Sequence, residues 1–111
     1  MKFDVRKEDN VTIFKLNEKK LDTSISSQLK AEFLLLCKPK KASVLVVDLK
    51  DVQFCDSSGL GALLIAHRTM HEHDGEVRFA NVNNSIASLL KISQLDRIFQ
   101  IFKTVKQAIK G

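Results

Sequence analysis

Two adjacent serines stand between an aspartate and a glycine pair in the segment Asp56-Ser57-Ser58-Gly59-Leu60-Gly61. The segment follows an apolar run and precedes a helical pattern, which predicts that both serines lie just ahead of a helix N-terminus. Unpaired N–H groups and the helix macrodipole favour negative charge there. A phosphoryl group on Ser57 would add about −1.5 to −2 charges and three acceptor oxygens, which alters a surface without unfolding it. The alternative is that these side chains only cap the helix, and composition alone favours capping.

Catalysis by the same serine would need a positioned base and oxyanion donors. The histidines of the chain are His67, His71 and His73. His67 follows Ser57 on the same predicted helix at about 15 Å, given a rise of 1.5 Å per residue, which is too far for a general base. His67 and His71 have the spacing to share a metal ion, but without an H-E-x-x-H pattern the sequence favours a solvated helix end. We therefore expect no enzyme, no metal ion and no cofactor.

Phosphate-cradling and nucleophile motifs are absent from the sequence. It contains no GxxxxGK[ST] loop, no complete GxGxxG and no GxSxG elbow. The Gly59-x-Gly61 pair alone is weak support for a nucleotide site. Cys37 and Cys55 lack CxxC spacing, so we expect two reduced, buried thiols.

The overall composition predicts a single domain spanning residues 1–111. The chain has 111 residues, of which 44% are hydrophobic and 28% charged. Charge in the first residues excludes a signal peptide, and the apolar runs are too short to span a membrane, so a cytoplasmic protein without membrane contact is expected. The net charge of +5 comes from scattered lysines and arginines, which predicts a solvated surface and no direct binding of nucleic acid.

In the first part of the chain, periodicity predicts a β-hairpin and then a helix. Apolar alternation gives strands at residues 3–7 and 11–16, joined by a turn at residues 8–10. Asp22, Thr23 and Ser24 are N-cap candidates for a helix that Pro39 would end. Its core-facing residues, at helical spacing, would be Ile25, Leu29, Phe33 and Leu36.

The remainder alternates strands and helices. Residues 44–47 predict a strand buried on both faces, and residues 58–74 a helix that presents Leu60, Leu63 and Leu64 to the core and stops at Gly75. A strand around Val77 and Phe79 follows, and then a helix capped by Asn84 and Ser85 that carries Ile86, Leu89 and Leu90. A strand at residues 98–102 and a terminal helix ending at Lys110 close the chain, with a capping box formed by Thr104 and Gln107.

The predicted order is β-β-α-β-α-β-α-β-α. Strands that alternate with helices imply a sheet covered by helices. Binding sites on such sheets lie at the carboxyl ends of the strands. In this chain, that edge is where the strand at residues 44–47 leads on to Asp56, Ser57 and Ser58.

Two stretches carry a family resemblance: Val44-Leu45-Val46-Val47-Asp48-Leu49, and then Phe54-x-Asp56-Ser57-Ser58-Gly59-Leu60-Gly61. Together with Leu21-Asp22 and Ile92-Ser93-x-Leu95, they resemble the signature of the STAS domain family of bacterial anti-sigma factor antagonists. The resemblance covers nearly the whole chain. It implies the STAS fold, an α/β structure in which about four helices cover a mixed β-sheet.

The resemblance also implies a regulatory cycle. A serine kinase that doubles as an anti-sigma factor would phosphorylate Ser57, and a serine phosphatase would remove the phosphate. The unmodified protein would bind the kinase and free its sigma factor, whereas the phosphorylated protein would release the kinase. The implied partner-binding residues, on what we expect to be a monomer, are Asp22, Asp56, Ser57, Ser58 and Gly59.

The chain departs from the family where Glu18-Lys19-Lys20 precedes Leu21-Asp22, since Gly-Glu is common there, and it is more basic than well-known members. Both departures concern the partner-facing loop. An alternative is a STAS scaffold that is not phosphorylated, or a STAS subunit of a transporter or another signalling complex. The sequence leaves open which sigma factor is involved and whether a nucleotide binds near Asp22.

Overall fold

The computed structural model describes residues 1–37 and 44–111. Strands and helices alternate through most of that length, as predicted, and a 3₁₀ turn at Leu95–Arg97 precedes the last strand. In chain order the elements are β1 (Phe3–Glu8), β2 (Val11–Leu16), β3 (Lys20–Leu21), α1 (Ser26–Leu36), β4 (Val44–Asp48), β5 (Phe54–Cys55), α2 (Ser57–Glu72), β6 (Glu76–Ala80), α3 (Asn84–Ile92), β7 (Gln100–Phe102) and α4 (Val105–Lys110).

The main sheet is mixed and has the strand order β1-β2-β4-β6-β7 in the described residues. β1 and β2 form the predicted antiparallel hairpin, and Asp9 takes the left-handed backbone conformation in its turn with φ of 54°. Aspartate tolerates that conformation better than most residues. The pairs β2–β4, β4–β6 and β6–β7 are parallel. The carboxyl ends of these parallel strands therefore share one edge of the sheet.

Helices cover both faces of this sheet. Within β4, Leu45 and Val47 belong to the larger core, whereas Val46 faces the opposite side. This alternation follows from the two-residue period of a strand. α1, α2 and α3 close the larger core, and α4 packs Ala108 against Val46 on the other face. The predicted α/β fold, a mixed sheet covered by helices, is confirmed.

The ends of α1 differ from the prediction. The N-cap position is occupied by Ile25, which makes no side-chain capping bond, and Asp22 forms a turn ahead of the helix. The assignment of Asp22, Thr23 and Ser24 as N-caps was therefore wrong, because the aspartate carboxylate is satisfied within its own turn. α1 ends at Leu36, and Pro39 lies outside the described residues.

Both ends of α2 also differ from the prediction. The helix begins at Ser57 and ends at Glu72, followed by Asp74 in the left-handed conformation with φ of 62°. The amide of Gly75 then donates to the carbonyl of Met70 at 2.8 Å. This bond, with that from the amide of Asp74 to the carbonyl of His71 at 3.2 Å, makes a Schellman-type helix end. Gly75 was predicted as the stop residue, but Asp74 takes the left-handed position.

Smaller boundary errors occur in the C-terminal third. Asn83, whose side chain accepts from the amide of Ile86, caps α3 in place of Asn84 and Ser85. The last strand begins at Gln100 because residues 95–97 form the 3₁₀ turn. The prediction that Thr104 caps α4 is confirmed: its hydroxyl accepts from the amide of Gln107 at 3.1 Å.

Both cysteines are buried, as predicted, and neither forms a disulfide. Desolvation raises the pKa of the Cys37 thiol to about 11. Desolvation, with the nearby charge of Asp56, raises the pKa of Cys55 to about 12. A separate property of the described chain is that none of its helices is long and apolar enough to cross a membrane.

Candidate functional site

A two-stranded parallel ribbon that the sequence did not predict builds the candidate site. β3 pairs with β5, so that Lys20 lies beside Phe54 and Leu21 beside Cys55. Two further hydrogen bonds hold the strands together where they begin: the carbonyl of Lys19 accepts from the amides of Gln53 and Phe54 at 2.8 and 3.1 Å. This pairing brings the residues that follow each strand together.

Asp56 is the N-cap of α2. Its carboxylate accepts from the hydroxyl of Ser58 at 2.6 Å and from the amide of Gly59 at 3.0 Å. These two bonds, that from Ser58 being the stronger influence, hold the pKa of Asp56 below its usual value. The carboxylate is thus ionised at neutral pH and half-buried. It fixes the start of the helix that carries Ser57.

Ser57 is the first residue of α2, and its side chain is exposed. Within the described residues no protein group forms a hydrogen bond with its hydroxyl, whereas the Ser58 hydroxyl is held by Asp56. The phosphorylation that the family resemblance implies requires an accessible Ser57, and Ser57 is accessible. Of the two serines, Ser57 is therefore the one that is exposed and whose hydroxyl makes no hydrogen bond to the described residues.

Gly59 lies below the surface, where α2 crosses β3. A Cβ atom at this position would be 2.3 Å from the carbonyl oxygen of Leu21 and 2.8 Å from Sγ of Cys55. Only glycine permits this close approach of helix and strand. Gly59 is buried and supports the surface from below. Its role in partner binding stays a prediction.

Asp22 follows β3 and lies close to Asp56. Its carboxylate accepts from the hydroxyl and the amide of Ser24 at 2.6 and 3.0 Å. These bonds lower the pKa of Asp22, and the neighbouring negative charge of Asp56 opposes them. The site therefore combines an exposed serine with two ionised carboxylates. A phosphate on Ser57 would join charges of its own sign.

Two surface residues of the ribbon were not identified from the sequence. Phe54 is 50% exposed, although its strand neighbour Cys55 points into the core. Lys20, its partner in register, is also exposed. The only sequence signal was that Cys55 stands between Phe54 and Asp56. This pattern predicts an outward-facing Phe54 only once a strand is known to lie there.

The histidines lie along the later turns of α2. His67 is half-buried, packs on Phe99 with ring centroids 5.6 Å apart, and stacks on His71 at 6.0 Å. Desolvation, with a smaller contribution from the charge of His71, lowers the pKa of His67. The prediction that the three histidines lie on a solvated helix end was therefore wrong for His67. It holds for His71 and His73, which are exposed. Among the described residues, no group of three or more acidic, histidine or cysteine side chains is placed to hold a metal ion.

Solved structures define the class of fold. A STAS domain protein from Planctomyces limnophilus superimposes with a TM-score of 0.86, at 20% identity, over 96% of this chain and 92% of that protein. The Bacillus cell-fate determinant SpoIIAA in its phosphorylated form superimposes with a TM-score of 0.74, at 19% identity, over 98% of this chain and 97% of that one. The structure is therefore an α/β protein with the STAS fold.

The family follows from the sequence. The STAS domain model matches residues 2–108, and the chain belongs to the STAS domain family. The anti-sigma F factor antagonist of Paenibacillus polymyxa is 29% identical over 89 residues, which cover 80% of this chain and 76% of that protein. The anti-sigma-B factor antagonist of Listeria monocytogenes is 28% identical over 106 residues, which cover 96% of this chain and 90% of that protein.

Proposed function

We propose that this protein is an anti-sigma factor antagonist that works as a phosphorylation-controlled partner switch. Unmodified, it binds an anti-sigma factor that is also a serine kinase; phosphorylated on Ser57, it releases that partner. A serine phosphatase returns it to the binding form. The whole cycle takes place in the cytoplasm, with residues 1–111 acting as one STAS domain and a monomer. The observation that carries the proposal is the exposed hydroxyl of Ser57 at the start of α2, which makes no hydrogen bond to residues 1–37 or 44–111.

The chemistry on this chain is limited to one side chain. Oγ of Ser57 attacks the terminal phosphorus of a nucleoside triphosphate bound by the kinase, the hydroxyl proton passes to a base of the kinase, and the nucleoside diphosphate leaves. The phosphatase later adds water across the Oγ–phosphorus bond and liberates inorganic phosphate. The protein is a substrate in both steps, which agrees with the expectation that it is not itself an enzyme.

The electrostatics of the site favour release of a phosphorylated form. The carboxylates of Asp22 and Asp56 already make this surface negative, and their hydrogen bonds keep both ionised. A partner that tolerates those two charges must also cover the phosphate in order to stay bound. Burying an unpaired charge in an interface costs several kcal/mol, which corresponds to a hundredfold or more in affinity.

The first test is the state of Ser57 in the native cell. We expect mass spectrometry of the purified protein to find a single phosphate, on Ser57 and not on Ser58. Its amount should rise when the phosphatase is removed. Protein that stays unmodified under all growth conditions would reject the switch and favour the scaffold or transporter-subunit alternative.

The second test uses the kinase that wild-type protein captures from its native cell. Titration calorimetry measures the affinity of each variant for this kinase. We expect Ser57→Asp to weaken binding by about a hundredfold or more. Ser57→Ala should bind within about tenfold of the wild type, because it loses only one hydrogen-bonding hydroxyl, worth about 0.5–1.5 kcal/mol, and it cannot be switched off. Ser85→Asp is the matched control, since Ser85 is exposed in the first turn of α3. Equal affinities of the Ser57→Asp, Ser57→Ala and wild-type proteins would mean that charge at Ser57 is not the switch.

A further inference from the structure

The ribbon β3–β5, together with Lys19 just ahead of β3, presents an apolar and positively charged surface near Ser57. We name this surface the ledge, and its residues are Lys19, Lys20 and Phe54. Lys20 and Phe54 are partners in register, while Leu21 and Cys55 beside them are buried. Alternate residues of a strand point to opposite faces. Lys20 and Phe54 therefore point outward together, on the outer face of the ribbon.

Phe54 is unusual among the phenylalanines of the chain in being 50% exposed. Single exposed apolar residues are common and need no explanation by themselves. This one, however, lies on the short strand that leads directly into Asp56 and Ser57, so any protein that covers Ser57 also reaches it. Aromatic side chains at the centre of an interface are frequent anchors of binding energy.

The charges of the ledge are positive, and Lys20 lies near enough to Asp22 for its charge to help lower the pKa of that carboxyl. Lys19 and Lys20 are exposed, and neither takes part in any of the ion pairs found in the described residues. The adjacent Glu18 is already engaged, because its carboxylate accepts from the backbone amide of Lys2 at 2.7 Å. Asp22 and Asp56 follow Lys20 and Phe54 by two residues each, so the surface carries cations and an exposed aromatic ring beside two carboxylates.

We propose that the partner receives Phe54 in an apolar pocket whose rim carries acidic side chains facing Lys20 and Lys19. This inference rests on the proposed function, because it concerns the protein that covers Ser57. It assigns Phe54 as the anchor and the two lysines as the residues that select the partner. Charges at the rim of an interface chiefly govern specificity and association rate. The partner's rim is therefore acidic where it meets the ledge.

Other occupants fit the surface less well. In a symmetric dimer a ledge packed on its own copy would place like charges opposite each other. Nucleic acid, with its continuous row of phosphates, would need a continuous basic surface, whereas the lysines here stand beside the ionised carboxylates of Asp22 and Asp56. A protein with an acidic rim and an apolar pocket matches the lysines and Phe54 together.

The experiment measures affinity for the protein that wild type captures from its native cell and that mass spectrometry identifies. The ledge variants are Phe54→Ala and Lys20→Glu. Their matched controls are Ile92→Ala, at a position that is 80% exposed at the end of α3, and Lys106→Glu on α4. Circular dichroism checks that each variant is folded, and Phe54→Leu and Lys20→Arg serve as conservative rescues.

We expect Phe54→Ala to weaken binding by about tenfold or more. Lys20→Glu should also weaken it by about tenfold and reduce the salt dependence of association. Both controls should stay within about threefold of wild type, and the rescues should recover most of the affinity. Folded ledge variants that bind like wild type would overturn the inference.

The two proposals fail in different ways. If Ser57→Asp releases the partner while the ledge variants keep it, the docking surface is wrong and the switch stands. If the ledge variants lose the partner while Ser57→Asp keeps it, the switch is wrong and the docking surface stands. Self-association in ultracentrifugation that Phe54→Ala abolishes, binding of DNA or RNA that Lys20→Glu abolishes, or no captured protein at all would each overturn the assigned partner.

Discussion

At the residue scale, Gly59 and Gly61 lie in the same turn of α2 but have different surroundings. A methyl group on Gly59 would overlap the backbone carbonyl of Leu21 at 2.3 Å. On Gly61 the nearest atom would be Nζ of Lys30, at 4.0 Å. The clash at Gly59 involves backbone, so it can be relieved only by separating α2 from the ribbon that holds the site.

We therefore expect Gly59→Ala to lower the free energy of unfolding by about 1–3 kcal/mol or more, the cost of overpacking. Gly61→Ala should be neutral or raise it by up to about 1 kcal/mol, because alanine is the better helix former. Urea denaturation of both variants measures the difference. Equal effects would show that the close approach of α2 to Leu21 is absent in solution.

The packing of His67 makes stability depend on pH. Because the folded state lowers the pKa of His67 from 6.5, the unfolded chain binds a proton more readily than the folded one. The free energy of unfolding should therefore be highest above pH 6.5 and decrease as the pH falls through that value toward the lowered pKa. Denaturation midpoints between pH 7.5 and 5.5 measure this decrease, and the carboxylates titrate at lower pH.

His67→Gln should flatten the pH dependence of stability in that window. His73→Gln, at an exposed position on the same helix, is the matched control and should leave the wild-type slope unchanged. If the stability of His67→Gln depends on pH as steeply as that of the wild type, the pH dependence arises from another group.

At the element scale, long periodic segments could be predicted and short ones could not. The alternation of Val77 and Phe79 and the helical spacing of Ile25, Leu29 and Phe33 correspond to buried faces in the structure. β3 and β5, in contrast, have two residues each, too few for a period to show. Their pairing is decided by contacts across the chain and not by local propensity.

In the site, too, local features could be predicted from the sequence, whereas those that depend on strand pairing could not. Its serine could be located because the strand-to-helix junction is a local feature. The closeness of Asp22 to Asp56 was expected only from the family resemblance, and its physical cause is the unpredicted pairing of Leu21 with Cys55. The capping role of Asp56 was foreseen as an alternative, whereas the exposure of Phe54 depends on the register of the ribbon.

The end of α2 provides a test at the same scale. Asp74 adopts the left-handed conformation, in which a side chain is disfavoured and glycine is not. We expect Asp74→Gly to raise the free energy of unfolding by about 1 kcal/mol. Gly75→Ala should change it by less than about 0.5 kcal/mol, because φ at Gly75 is not positive. A larger effect at Gly75 than at Asp74, measured by thermal denaturation, would contradict this helix end.

At the scale of the whole molecule, the exposed side chains of the site lie outside both hydrophobic cores, although Leu21 and Cys55 beneath them belong to the larger one. The larger core lies between the sheet and α1, α2 and α3, and the smaller core lies under α4. Arg78 of β6 secures α4 by donating to the carbonyl of Ala108 at 2.8 Å. Ser57 contributes to neither core, so a change of its charge can alter binding while the fold persists.

The same separation predicts that Ser57→Asp leaves global stability almost unchanged. The added carboxylate meets the positive end of α2, which favours it by about 0.3–1 kcal/mol, and the negative charges of Asp22 and Asp56, which oppose it. We expect the two effects to cancel to within about 0.5 kcal/mol. Ser85→Asp, in the first turn of α3, has no carboxylate within five residues of it in the sequence and should be slightly the more stable of the two variants. Thermal denaturation and amide hydrogen exchange of both variants test this. Loss of protection throughout β4 and β6 in Ser57→Asp would mean that the charge acts by unfolding the protein and not by changing its surface.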